Sequence, residues 1–139
     1  MSYEEKGTWA YLVTGVAVWV GYVVLLLRRA DGGPVADVAY VAPLLWAIGI
    51  SILANVVGRV LVEIVRPSES YRVDARDREV ARFGDYVGGL VLSVLVAGVL
   101  ALVLVEAAHF WIANAIYAAF VVQVVVSSVV RLVAYRRGL

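Results

Sequence analysis

The chain has no cysteine, a single histidine, a single methionine and three prolines in 139 residues, and only 17% of it is charged. Without cysteine there is no disulfide, thiol nucleophile, thioether-attached haem or cysteine-held zinc, and the redox compartment goes unreported. The lone His109 excludes a multi-histidine metal cage within one chain. The charges nearly cancel, 12 Lys+Arg against 11 Asp+Glu, so no basic excess argues for nucleic acid as a partner. High net charge with low hydrophobicity, the mark of a disordered chain, is missing as well.

What is present is apolar surface. Hydrophobic residues make up 63% of the chain, and its mean hydropathy is +0.91. A soluble domain uses apolar residues for nearer half of its length. A domain this small leaves much of its surface in water. The composition therefore predicts a bilayer as the solvent. Four stretches carry no charge at all: residues 8–27, 38–58, 86–105 and 107–130. Each is long enough for a transmembrane helix, which needs about 20 apolar residues. Barrel strands would alternate apolar and polar residues over about 10 positions. Val99-Leu100-Ala101-Leu102-Val103-Leu104-Val105 does not alternate, and helices satisfy their own backbone hydrogen bonds in lipid. The first stretch is predicted to be a retained span. It follows Glu4, Glu5 and Lys6, with no basic leader, and ends at Arg28-Arg29 where a cleavage site would need small residues.

The connections are equally readable. Asp31-Gly32-Gly33-Pro34 is a turn by its chemistry. The join around Glu106 is so short that the third and fourth spans form a hairpin. Four spans put both termini and the middle loop, residues 66–85, on one side. That side holds nine basic residues: Lys6, Arg66, Arg72, Arg76, Arg78, Arg82, Arg131, Arg136 and Arg137. The other side holds Arg28 and Arg29. The positive-inside rule then predicts cytoplasmic termini in the cell's inner membrane. Trp9 falls near one interface, and Trp46 and Trp111 near the other, where amphipathic rings prefer to sit. Trp19 is mid-span, without an assigned role.

In the middle loop, Asp74 is a candidate helix N-cap, with Asp77 and Glu79 in the early turns where the helix dipole favours negative charge. Val73, Val80, Phe83 and Val87 share one helical face, and Gly84 reads as a stop or bend before the third span. Asp74, Arg76, Asp77, Arg78, Glu79 and Arg82 then form an amphipathic surface helix that either touches anionic lipid or only sets topology. A less favoured reading makes Glu69, Asp74, Asp77 and Glu79 ligands of a hard cation. The segment Asp74-Ala-Arg-Asp77-Arg-Glu-Val80, set between two hydrophobic hairpins, resembles the D-x-R-D-x-x-I/V segment of small four-helix membrane proteins of bacteria and archaea whose function is unknown. The Tyr135-Arg136-Arg137-Gly138 ending is similar too. The resemblance implies the hairpin–loop–hairpin layout and no activity, and it transfers no functional residue.

Polar residues within spans are costly and mark sites or contacts. The second span carries Ala47, Ser51, Asn55, Arg59 and Glu63 at four-residue steps; the fourth carries Ala115, Ala119, Gln123, Ser127 and Arg131; the third carries Gly89, Ser93, Ala97 and Ala101. Such rows suit helix packing in lipid. Alternatively, Asn55, Gln123 and Ser127 line a path gated by Arg59 and Glu63. Glu106 and His109 have the Glu-x-x-His spacing of di-metal bundles. A single copy also fits a polar hairpin tip, so no metal or cofactor is assigned. Gly7, Gly15 and Gly21 match no phosphate-binding fingerprint, and no nucleophile–base pair is seen.

The expectation is an all-α integral membrane four-helix bundle, two helical hairpins joined by an amphipathic cytoplasmic loop helix. Its expected role is that of a structural or interaction subunit, self-associating or bound to another membrane protein. An oligomeric channel or transporter lined by the second and fourth helices is the alternative. A membrane enzyme ranks third, since no clustered catalytic constellation is evident.

Overall fold

The computed structural model describes residues 3–65 and 75–137, with backbone only for Tyr3, Glu4, Arg59, Val62, Glu63 and Val65. Four helices account for nearly all of them: α1 (Tyr3–Ala30), α2 (Val41–Val65), α3 (Ala75–Leu104) and α4 (His109–Arg137), with one 3-10 turn at Val35–Asp37. All four are long and apolar enough to cross a membrane, which makes the chain a multi-pass membrane protein. At 1.5 Å per residue, the 30-residue α3 is about 45 Å long. That exceeds a hydrocarbon core of about 30 Å, so its charged leading turns extend past the apolar layer.

Backbone chemistry sets the helix ends. After α1, Asp31 and Gly32 take positive φ (44° and 79°), and the Gly33 N–H donates to the Ala30 carbonyl at 2.7 Å. Pro34 then leads into the 3-10 turn, and Val38 is extended. The second span consequently starts helically at Val41 rather than at 38. Pro43 sits in the first turn of α2, where its missing N–H has no helical acceptor to lose. The α3–α4 join is tighter. The Ala107 N–H donates to the Leu102 carbonyl and the Glu106 N–H to the Val103 carbonyl, both at 3.0 Å. Glu106 takes φ +54°. This is a Schellman cap, and Glu106 stands where glycine is usual.

Two expectations are corrected here. Gly84 does not stop the third span, because α3 is one continuous helix from Ala75 to Leu104. The loop helix is the leading part of α3. Its buried face runs through Val80, Gly84 and Gly88, while Phe83 is exposed. Secondly, Glu106 is not on α4. It lies in the turn and His109 is the first residue of the helix, so their three-residue spacing does not place them on one helical face.

The helices pair in the order α2–α1–α4–α3, with α1–α2, α1–α4 and α3–α4 as the main contacts. Helices α1 and α4 are therefore the inner pair, and α2 and α3 are the flanks. Both turns lie at one end. There Tyr22, Leu26, Ala47, Phe110 and Tyr117 form the buried core, and Trp19, Tyr40, Leu44 and Val121 pack around it. Trp19 thus serves packing. Trp46 and Trp111 are exposed near this turn end and Trp9 near the opposite end, positions that suit a membrane interface.

Candidate functional site

Two clusters join the helices through polar or small groups. The first lies one to three turns inside the turn end. The Tyr22 hydroxyl on α1 donates to Asn114 Oδ1 on α4 at 2.7 Å. The Asn114 amide in turn donates to the Phe110 carbonyl at 2.8 Å, one turn back along its own helix. Both functional ends of Asn114 are thereby satisfied, as an amide within a membrane span requires. The Tyr22 ring meets Tyr117 edge-on at 5.5 Å. Tyr40 and Trp111 meet Phe110 in the same manner, each at 5.1 Å. These edge-to-face contacts are the preferred aromatic geometry. The Tyr117 hydroxyl is buried and makes no well-formed hydrogen bond among the described residues, although the Ser51 side chain of α2 is close by.

The second cluster lies toward the end that carries the termini. Gly84 and Gly88 of α3 face Gln123, Ser127 and Arg131 of α4. A Cβ added at Gly84 would come 2.5 Å from Arg131 Cγ and 3.1 Å from the Ser127 carbonyl oxygen. One added at Gly88 would come 3.0 Å from Ser127 Cβ and 3.2 Å from Gln123 Nε2. Only glycine permits this approach, and the four-residue spacing is the small-xxx-small pattern of membrane helix pairs. Arg131 lies over Gly84 and forms an ion pair with Asp85. The Arg131 Nε is buried and has no hydrogen-bond partner among the described residues.

The candidate residues named from the sequence separate cleanly in this frame. Gln123, Ser127 and Arg131 of the fourth-helix row are in the α3–α4 contact, and Ala119 of the same row is buried. The third-helix row is on the wrong face: Gly89, Ser93, Ala97 and Ala101 are all exposed, and the Ser93 hydroxyl donates to its own Gly89 carbonyl. Asn55 donates to the Ser51 carbonyl at 2.7 Å, within α2. Arg59 and Glu63 are on the α2 backbone, and their side chains lie outside the described residues, as do Asp74 and Glu69 entirely. Arg76, Arg78, Glu79 and Arg82 are exposed on the first turns of α3, and Asp77 is half-buried. Glu106 and His109 are exposed at the turn end. Among the described residues, no three His, Asp or Glu side chains gather where they could hold a metal ion.

Sequence reading missed Asn114 and the Gly84/Gly88 pair. An asparagine in a span needs a partner, and Gly-x-x-x-Gly in a span signals close approach; both signals were present at 114 and at 84–88. No family model matches this chain, and comparison with curated proteins and with solved structures finds no match either.

Proposed function

We propose that the chain is a structural or interaction subunit of the cell's inner membrane, with no evident catalytic site, that associates with copies of itself or with another membrane protein. The carrying observation is where the intramembrane polar groups are spent: Asn114 bonds Tyr22, Gln123 and Ser127 pack on Gly84 and Gly88, and Asn55 bonds its own helix. These groups hold helices in place. The open order α2–α1–α4–α3 supports association, because the flanking helices α2 and α3 each have their main contact on one side only. Their exposed faces are apolar, Ile52, Leu53 and Val56 on α2 and Leu90, Val94 and Leu100 on α3. A channel lined by α2 and α4 has less support, since Asn55 spends its amide on the Ser51 carbonyl of its own helix.

Cytoplasmic termini follow from the nine-to-two division of basic residues. Single cysteines are easily introduced into a chain that has none. Disulfide cross-linking of cysteines placed at Ile52 or Leu90, in native membranes, tests association: cross-linked dimers or higher species are expected. A chain that stays monomeric from both positions, and that carries ion flux in proteoliposomes, overturns this reading. Arg76→Cys is expected to react with an impermeant thiol reagent only from the cytoplasmic side.

A further inference from the structure

The corner between α1 and α2 holds a cleft of about 460 Å³. It is lined by Arg29 near the end of α1, the Gly33–Pro34 turn, Asp37 at the end of the 3-10 turn, and Val38 and Ala39 on the way into α2. Its volume is within the range of small-molecule sites, about 300–1,000 Å³. The corner is fixed by its own backbone. The Gly33 N–H donates to the Ala30 carbonyl at 2.7 Å, and the Asp37 and Val38 N–H groups donate to the Pro34 and Val35 carbonyls, both at 3.2 Å. Arg29 adds a link across it, from Nη1 to the Ala39 carbonyl at 3.3 Å.

Two opposite charges line this one cleft without neutralising each other. Arg29 and Asp37 are exposed, and neither has an ion-pair partner among the described residues. The bond to Ala39 leaves most of the five guanidinium N–H donors free, and their planar fork suits phosphate oxygens. A lone anion would satisfy Arg29 and bring a second negative charge into the cleft with Asp37. A lone cation would do the reverse. A zwitterion that carries a phosphate and an ammonium meets both. Depth then selects its source. Arg29 is two residues beyond Leu27, where the first uncharged stretch ends, and Asp37 immediately precedes the second. At 1.5 Å per residue Arg29 is about 3 Å past the apolar part of α1, which is headgroup depth. Leu25, one turn deeper on the same face of α1, is 40% exposed and offers apolar surface below the guanidinium.

We infer that this corner binds the headgroup of a zwitterionic glycerophospholipid with a primary ammonium, of the phosphatidylethanolamine type, with Arg29 on the phosphate and Asp37 on the ammonium. A quaternary ammonium has no N–H to donate to a carboxylate, so phosphatidylcholine is the weaker ligand. The site stands independently of any association with a partner.

The test is lipid retention. The full chain is exchanged into detergent micelles containing phosphatidylethanolamine and phosphatidylcholine of identical acyl chains, and bound lipid is counted by native mass spectrometry. Both lipids are neutral overall, so unspecific charge attraction cancels. The wild type is expected to retain phosphatidylethanolamine preferentially. Asp37→Asn is expected to cut that preference about three- to fivefold, the scale of an exposed charge pair. Arg29→Gln is expected to lower retention of both lipids about fivefold, because the phosphate is common to them. Asp37→Glu and Arg29→Lys keep the charges and most of the binding, which separates charge from folding. Arg28→Gln, one residue away but outside the cleft, changes neither quantity. Free phosphoethanolamine at the concentration of the lipid leaves the bound lipid in place. Absence of preference in the wild type, its survival in Asp37→Asn, or unchanged retention in Arg29→Gln overturns the site. Equal loss in Arg28→Gln overturns it as well, and displacement by free phosphoethanolamine overturns the lipid as its ligand.

Discussion

The two contacts of α4 solve the same problem by opposite means. Toward α1 the contact is built from large groups: Tyr22 meets Tyr117 edge-on, Phe110 joins them in one buried core, and one hydrogen bond from Tyr22 to Asn114 fixes the register. Toward α3 it is built from missing groups: Gly84 and Gly88 remove side chains so that Ser127 and Gln123 approach the helix backbone. In water both would be driven by burial of apolar area. In lipid that drive is weak, because acyl chains solvate leucine as well as another helix does. What remains is dispersion at close packing and the few polar groups that need partners. The aromatic contact fills space with rings, and the glycine contact closes space between backbones. The first tolerates adjustment of side chains, whereas in the second an added Cβ at Gly84 meets Arg131 Cγ at 2.5 Å with the Ser127 carbonyl oxygen behind it at 3.1 Å, so Arg131 must move before any side chain fits.

The largest expected effect follows from that difference. Gly84→Leu places a side chain against Arg131 and the Ser127 carbonyl. It is expected to cost at least about 3 kcal/mol, the upper range for overpacking. Gly89→Leu, five residues along the same helix, meets nothing within 4 Å, and is expected to stay within about 0.5 kcal/mol. Reversible unfolding in mixed micelles measures both. Equal sensitivity at 84 and 89 would erase the distinction between the two faces of α3.

The aromatic side is sharpened by two matched substitutions. Tyr22→Phe removes the donor to Asn114 and leaves its Oδ1 without that partner. Interhelical bonds in membranes average about 0.6 kcal/mol and reach about 1.7, so a loss of roughly 1 kcal/mol is expected. Tyr117→Phe removes a hydroxyl that is buried and makes no well-formed hydrogen bond among the described residues. It is expected to be neutral or slightly stabilising, since the cost of an unpaired polar group disappears with it. A loss above about 1 kcal/mol in Tyr117→Phe would show that this hydroxyl bonds Ser51 and ties α2 to α4.

These contrasts also explain which features were legible in the sequence. The four spans and the two turns were plain, because charge marks where spans end and Asp31-Gly32-Gly33-Pro34 has only turn chemistry. Helix faces were not. A soluble helix advertises its buried side by the alternation of apolar and polar residues, but here lipid and protein interior are both apolar and the contrast vanishes. Small-residue spacing is then the remaining sign, and α3 carries two competing rows one residue apart, Gly84/Gly88 and Gly89/Ser93/Ala97. The second is the longer, which is why it drew the expectation. It is nevertheless the exposed one, because the fourth helix sets the register. Its Ser127 and Arg131 fit glycine only at 84 and 88. Asn114 was equally hard to assign, since its partner Tyr22 lies 92 residues away on another helix and an aromatic hydroxyl in an apolar run gives no pattern.

The smallest effect belongs to the turn that joins the two contact modes into one hairpin. Glu106 holds φ +54° as the left-handed residue of a Schellman cap, with both cap hydrogen bonds at 3.0 Å. A side chain in that conformation costs roughly 1–2 kcal/mol. Glycine would remove the cost, but it has more backbone freedom to lose on folding, about 0.5–1 kcal/mol. Glu106→Gly is therefore expected to stabilise the hairpin by about 0.5 kcal/mol. Glu106→Val, β-branched and poorly suited to positive φ, is expected to destabilise it by more than Glu106→Gly stabilises it. The comparison isolates backbone conformation from charge, because both variants remove the same carboxylate. If glycine and valine shift stability in the same direction, the carboxylate itself and not the left-handed turn is what position 106 supplies.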